Sequence, residues 1–225
     1  MTQPVTLTKS RVVALNRLCA TGYELLLDRS GIQFTAGQLI NLHGRDHFED
    51  RSYTVCAGER DEHLTVLFRH VPEGVLTPQL IQLKPGDDIN ISGPYGEFTL
   101  RDRNRPVIFF ATGTGVAPCR AYLRSFSGLN LTLYHGVRFA EDLYYQQEFQ
   151  SVAYHPCVSR EHPQPGIFAG RVTDLARINQ FPPDSHYYLC GANEMIYEMQ
   201  EILHQRGIPP DAIFTEAYYY RFDDT

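Results

Sequence analysis

The sequence predicts a β + α/β chain: an N-terminal antiparallel β-barrel, residues 1–100, followed by a C-terminal parallel-sheet domain, residues 101–225. Three observations lead there. From Val5 to about Leu100, short β-rich runs recur between turn residues, the spacing of a small antiparallel barrel. After the charged Arg101-Asp-Arg-Asn-Arg105, strand patterns alternate with helical ones, as in a parallel sheet with crossover helices. Where the change occurs, an apolar run enters a glycine turn that opens a helix.

In the first half, Val12–Asn16 and Tyr23–Leu27 are strands separated by Ala20-Thr21-Gly22. Thr35-Ala36-Gly37-Gln38 turns the chain into Leu39–Leu42. Ser52–Ala57 and Leu64–Arg69 are further strands. Val75 to Leu83 reads as a short helix, with Thr77 as N-cap and Pro78 in its first position, where a missing N–H is harmless. Lys84-Pro85-Gly86-Asp87-Asp88 is a strong turn signal, and Ile89–Ser92 is the next strand.

In the second half, Val107–Ala111 has the unbroken apolar character of a strand buried on both faces. Helix Ala117–Arg124 follows, then strand Leu131–His135, helix Asp142–Gln150 and strand Tyr154–Ser159. Helix Val172–Ile178, strand His186–Cys190, helix Asn193–Gln205 and strand Ala212–Glu216 complete the alternation.

Composition narrows the function. Of 225 residues, 43% are hydrophobic and 20% charged, which suits a packed globular core. A net charge of −6 argues against general nucleic-acid binding. No apolar run is long enough for a membrane span, and the N-terminus lacks the charged-then-apolar pattern of a signal peptide. The five cysteines are scattered, without a CxxC or Cys/His cluster, so free thiols in a reducing cytoplasm are expected and no metal site.

The glycine turn is Thr112-Gly113-Thr114-Gly115, with Pro118 in the first turn of the helix behind it. Strand, glycine turn and helix N-terminus together form a place for phosphate, because backbone can approach closely and the N–H groups favour an anion. It is not the G-x-G-x-x-G fingerprint, since position 118 is Pro.

Further motifs occur in a fixed order: Arg51-Ser52-Tyr53-Thr54, Val71-Pro72-Glu73-Gly74-Val75-Leu76-Thr77, Gly93-Pro94-Tyr95-Gly96-Glu97-Phe98, the glycine turn, Tyr188-Leu189-Cys190-Gly191, and Phe214-Thr215-Glu216-Ala217-Tyr218-Tyr219. In this set the chain resembles the ferredoxin/flavodoxin–NADP⁺ reductase superfamily, in its compact bacterial form, from about Val12 to Tyr219. The resemblance implies a flavin-binding barrel and an NADP-binding α/β domain. In the barrel, Arg51 faces the FAD diphosphate, Tyr53 packs on the flavin ring, the Thr54 hydroxyl reaches that ring, and Ser52 of the same strand is a further FAD-binding residue. Gly74, Val75, Leu76 and Thr77 hold the diphosphate, and Phe68 and Arg69 line the adenosine side. The Gly-Pro-Tyr-Gly stretch is structural.

In the second half the resemblance assigns Thr112, Gly113, Thr114 and Gly115 to the NADP(H) pyrophosphate, with Thr114 also bordering FAD. Cys190 and Gly191 lie beside the nicotinamide, Glu194 or Glu216 approaches the thiol or the carboxamide, and Tyr219 covers the flavin. Past the family's usual stop, residues 220–225 continue the chain. Arg138, Arg160 and Arg171 each follow a strand end, and they favour NADP over NAD, because a 2′-phosphate calls for cationic forked donors. Tyr144 or Tyr145 stacks on the adenine.

The implied activity is that of a ferredoxin(flavodoxin)–NADP⁺ reductase, with Tyr53, Cys190, Glu216 and Tyr219 at the reacting rings. Hydride passes between NADP(H) and FAD, and single electrons pass between FAD and a transient ferredoxin or flavodoxin partner of a monomeric enzyme. Arg101, Arg103, Arg105, Arg120 and Arg124 supply the basic face such docking needs in an acidic chain. The alternatives are an NAD(P)H-dependent free-flavin or ferric reductase and an electron-transfer subunit of a larger oxidoreductase.

Overall fold

The computed structural model describes residues 6–45 and 49–218. The chain divides into two compact units, Met1–Leu100 with Ala117–Ser127, and Arg101–Val116 with Gly128–Thr225.

The first unit holds β1 (Thr8–Arg17), β2 (Gly22–Asp28), β3 (Leu39–His43), β4 (Asp50–Thr54), β5 (His63–Arg69) and β6 (Asp88–Tyr95). They pair antiparallel in the order β4-β3-β6-β1-β2-β5. Beyond β4, Val55 bridges Val66 of β5, and the Cys56 N–H donates to the Thr65 carbonyl at 2.8 Å. The two outer strands therefore meet, and the barrel leaves few exposed ladder groups. Leu25 and Leu27, Ile40 and Leu42, Ile89 and Ile91 repeat every second residue and fill its interior.

Two local expectations change. The short helix is only α1 (Thr77–Leu80), and its N-cap is Leu76, not Thr77. The Thr77 hydroxyl instead closes the preceding turn, accepting from the Val71 N–H at 2.9 Å and donating to the Val71 carbonyl at 3.1 Å. The second change concerns α2 (Ala117–Ser125), which belongs to this unit. Its Tyr122 hydroxyl donates to the Phe98 carbonyl at 2.5 Å. A Cβ on Gly37 would fall 1.9 Å from that same carbonyl oxygen, so the close approach requires glycine there. Arg120 is 8% exposed, donates to the Cys56 carbonyl at 3.2 Å and lies 3.6 Å from the Glu24 carboxylate. A buried, paired guanidinium cannot belong to an exposed docking face, so Arg120 leaves that set. Arg124 forms a 2.7 Å ion pair with Asp61.

The second unit holds β7 (Val107–Thr112), β8 (Leu131–Val137), β9 (Ala153–Val158), β10 (Phe168–Ala169), β11 (His186–Gly191) and β12 (Ile213–Ala217). All pair parallel, in the order β10-β9-β8-β7-β11-β12. Helices α3 (Gln146–Phe149), α4 (Val172–Ile178) and α5 (Asn193–Gln205) complete it. Phe110, Tyr187 and Leu189 of the sheet pack with Met195, Met199 and Leu203 of α5 in one core. The two-residue β10 is too short to show periodicity and escapes sequence reading. The helix expected over Asp142–Gln150 is broken: a 3-10 turn at Ala140–Asp142 is separated from α3 by residues 143–145, the last of which, Tyr145, has a φ of 58° in the left-handed region. Among the described residues no helix is long and apolar enough to cross a membrane.

Asp61 gives the first prediction. Burial raises its pKa, but the hydrogen bonds from Arg124 and the Gly58 N–H, with the charges of Arg124 and Arg120, outweigh that and hold it below 3.8. A depressed carboxylate stabilises the fold above its unfolded pKa, and the effect is lost as pH falls through the folded value. Asp61→Asn should therefore cost about 1 kcal/mol at neutral pH, a partly exposed pair being weak. In urea unfolding curves the difference from wild type should shrink steadily below pH 4.

Candidate functional site

The order of the parallel sheet locates one site. The chain runs outward from β7 through β8 and β9 to β10, then returns to place β11 on the other side of β7. Ligands of such sheets bind at the carboxyl ends of the strands where the order reverses, here β7 and β11. β7 ends in Thr112 and passes into a 3-10 turn, Gly113–Val116; β11 ends in Cys190-Gly191.

These two ends interlock. The Thr112 hydroxyl accepts the Ala192 N–H at 2.9 Å. A Cβ on Gly115 would sit 2.3 Å from the Cys190 carbonyl oxygen, and one on Gly191 would sit 2.2 Å from the Thr112 hydroxyl oxygen. Gly113, at φ 52°, has nothing within 4 Å of the position a Cβ would take, so the turn is open at that point. Thr114 is buried in the turn. Cys190 is fully buried, in register with Ala111 of β7 and Glu216 of β12. The cradle fits a pyrophosphate, because backbone without side chains lines it.

The three arginines fall at the carboxyl ends of adjacent strands. Arg138 follows β8, Arg160 lies just past β9, and Arg171, after β10, is the N-cap of α4. The β8–β9 ladder continues past the strands, with the Ser159 N–H on the Val137 carbonyl at 3.1 Å and the Arg160 N–H on that of Arg138 at 3.0 Å. The Glu161 carboxylate accepts the Ala140 N–H, tying the two loops together. The Gly170 N–H donates to Val158 at 2.8 Å, and the Asp174 carboxylate accepts the Arg171 N–H at 2.9 Å. All three arginines are exposed. No ion pair engages Arg138 or Arg160 among the described residues, so both guanidinium forks are available to a phosphate.

In the barrel, Arg51 and Tyr53 alternate with Ser52 and Thr54 along β4. Arg51 holds the Glu49 carboxylate at 2.7 Å and the Asp50 carbonyl at 2.7 Å, so an arriving phosphate would replace a carboxylate on the same fork. The Ser52 hydroxyl donates to Asn41 at 2.7 Å, Thr54 is buried, and the Tyr53 ring meets Phe68 edge-on at 6.2 Å. Arg69 has a buried Nε without a partner among the described residues. The Val75 and Leu76 N–H groups likewise find no acceptor there, while Gly74 donates to Val71 at 3.0 Å. A buried cationic donor without a partner, as at Arg69, fits an anionic group such as the FAD diphosphate. The Thr77 hydroxyl, whose proton is on Val71, serves the turn's shape.

Tyr144 is 4% exposed and belongs to the core, so it is not an adenine platform. Tyr219 lies outside the described residues. Sequence reading missed His135, a fully buried ring bonded to the Gly113 carbonyl; its only outward signal is a polar residue inside an apolar strand.

Two nucleotide cradles, one on a barrel and one on a parallel sheet, define a flavin- and pyridine-nucleotide-dependent oxidoreductase. The chain matches the oxidoreductase FAD-binding domain over residues 6–100 and the oxidoreductase NAD-binding domain over residues 109–201. It therefore carries both an FAD-binding and an NAD-binding oxidoreductase domain, in that order along the chain. It is 28% identical over 240 residues to the reductase component of propane 2-monooxygenase from Rhodococcus jostii, covering 96% of this chain and 64% of that protein. It is 28% identical to the toluate 1,2-dioxygenase electron transfer component of Pseudomonas putida, covering 83% and 59%. The chain thus spans about six tenths of the length of these curated relatives. Among solved structures, Amycolatopsis cytochrome P450 reductase GcoB superposes with a TM-score of 0.83 at 26% identity, over 95% of this chain and 71% of that one. A ferredoxin NADP⁺ reductase from Neisseria gonorrhoeae with bound FAD and NADP shares the fold, with a TM-score of 0.84 at 19% identity over 95% and 99%.

Because a methyl at Gly115 must displace the Cys190 backbone, Gly115→Ala should weaken pyridine-nucleotide binding about tenfold or more. The nearest atoms an added methyl meets all belong to Cys190 and Gly191, so FAD content should stay at the wild-type level, checked by absorbance after gel filtration.

Proposed function

We propose that the chain is an FAD-dependent oxidoreductase that transfers hydride between NADP(H) and FAD and single electrons between FAD and a ferredoxin or flavodoxin. In this reading FAD occupies the 1–100 half and NADP(H) the 101–225 half. The observation that carries it is the array of Arg138, Arg160 and Arg171 at three consecutive strand ends, since only the 2′-phosphate of NADP(H) rewards such an array.

Bound flavin supplies the two-electron to one-electron conversion, and the protein supplies placement. Arg51, Arg69 and the Val75 and Leu76 amides would hold the FAD diphosphate, with Tyr53 as the ring's apolar wall. Thr112 to Gly115 would seat the NADP(H) pyrophosphate, with the three arginines at its adenosine end. Cys190 brings a small side chain to the nicotinamide, beside Glu216. A nucleophilic role for Cys190 is not part of this scheme. Tyr219 is proposed as the aromatic cover of the flavin.

A second acceptor is favoured by a specific likeness. The relatives named above are reductase components of a propane 2-monooxygenase and a toluate 1,2-dioxygenase, so an oxygenase component is the competing electron acceptor. Of the proposed basic docking set, Arg101 lies over the Phe214 ring at 5.6 Å and Arg105 reaches His186 at 3.0 Å.

The purified protein should be yellow and should be bleached by NADPH at lower concentration than by NADH. Arg138→Ala with Arg160→Ala should raise the KM for NADPH tenfold to a hundredfold, each lost charge-assisted contact being worth about 1.5–3 kcal/mol at most. The KM for NADH should change little. Equal use of both nucleotides by the wild type would overturn the NADP assignment. Stopped-flow reoxidation by a panel of ferredoxins, flavodoxins and oxygenase components would identify the acceptor.

A further inference from the structure

His135 stands on β8, one strand away from the turn it touches, and is fully buried. Its Nε2 lies 3.0 Å from the Gly113 carbonyl oxygen, and its Nδ1 lies 3.3 Å from the Tyr154 hydroxyl on β9. A carbonyl only accepts, so Nε2 must carry the proton. In the neutral ring Nδ1 is then the acceptor, and Tyr154 the donor. Burial disfavours the charged form and lowers the pKa to about 4, against a smaller opposing effect of the Gly113 hydrogen bond. The ring is therefore neutral at physiological pH, with one tautomer selected by its partners.

The carbonyl it holds belongs to the one residue of the turn that has a left-handed φ and open space before it. A Gly113 peptide is free to rotate on conformational grounds, since glycine accepts several backbone regions at similar energy. Rotation would swing its carbonyl toward the place where a phosphate approaches, and an oxygen there would repel the anion.

We propose that His135 is a positioning residue for the pyridine-nucleotide turn: the relay Tyr154–His135–Gly113 pins the Gly113 carbonyl inward, so that the turn offers amide donors to the pyrophosphate. The proposal rests on the reading of this turn as the NADP(H) pyrophosphate site. Tyr154 orients the imidazole, and the imidazole orients the peptide; neither touches the nucleotide.

The test compares His135→Phe, which fills the space without a donor, with His135→Gln, whose amide N–H can reach the same carbonyl. His135→Phe should bind NADPH about fivefold to twentyfold more weakly in flavin-difference titrations, while adenosine 2′-monophosphate, which lacks the pyrophosphate, binds as to wild type. His135→Gln should return the NADPH affinity to within about twofold of wild type. Unchanged binding by His135→Phe, or equal losses in both variants and for both ligands, would overturn the proposal. Nitrogen-15 NMR of the wild-type imidazole provides a measurement that needs no folded variant. A neutral ring protonated at Nε2 is expected, and protonation at Nδ1 instead would overturn the relay. A wild-type protein that binds no pyridine dinucleotide would defeat the functional reading and this role with it, a result distinct from an unchanged variant of a binding-competent enzyme.

Discussion

The arrangement of the second unit depends on how closely two strand ends approach each other. At Gly115 and Gly191 the backbones of the β7 turn and the β11 end come nearer than any side chain permits. That contact sets the lateral position of Cys190 against Ala111, and therefore what a ligand meets at the reversal of strand order. The Thr112 hydroxyl links the same two ends through the Ala192 amide. A glycine in such a place works by omission: space emptied of Cβ atoms is filled by peptide dipoles, and those are what an anion binds.

The two cradles use different physics for the same kind of ligand. In the parallel sheet, the proposed pyrophosphate seat is a backbone turn and the proposed 2′-phosphate donors are arginines at the ends of β8, β9 and β10, so the proposal makes diphosphate binding and 2′-phosphate discrimination separable. On the barrel, the proposal assigns the diphosphate to cations and amides together, and Arg51 carries a carboxylate partner of its own. A fork already paired with Glu49 loses less on meeting a phosphate than its contact geometry suggests it gains, since one ion pair is exchanged for another.

Legibility in the sequence followed the length and regularity of the signal. The barrel strands and the five longer parallel strands were readable because burial imposes a period of two, or an unbroken apolar run, over five or more residues. The two-residue β10 offers no period, yet it is what brings Arg171 into line with Arg138 and Arg160. The motif arginines and glycines were legible because their chemistry is local. Arg120 was not: its side chain answers to Glu24 and Cys56, far away in the chain, and a charged residue read alone looks exposed. The Thr77 hydroxyl failed for a similar reason, since an N-cap and a turn-closing contact call for the same residue type.

His135 shows the limit most plainly. Within Leu131–Val137 the apolar character is continuous enough that a lone histidine reads as a tolerated core residue. Its meaning appears only when β8 is laid beside β7 and β9, because parallel pairing aligns His135 with Ala111 on one side and Pro156 on the other. From that register the ring reaches past the strand end to Gly113, while Tyr154, two residues before Pro156, reaches the opposite nitrogen. A buried polar group must be satisfied, and each ring nitrogen here has a partner, one in the turn after β7 and one on β9. Sites built from backbone need side chains behind them to hold the backbone still, and those side chains lie where a motif search does not look.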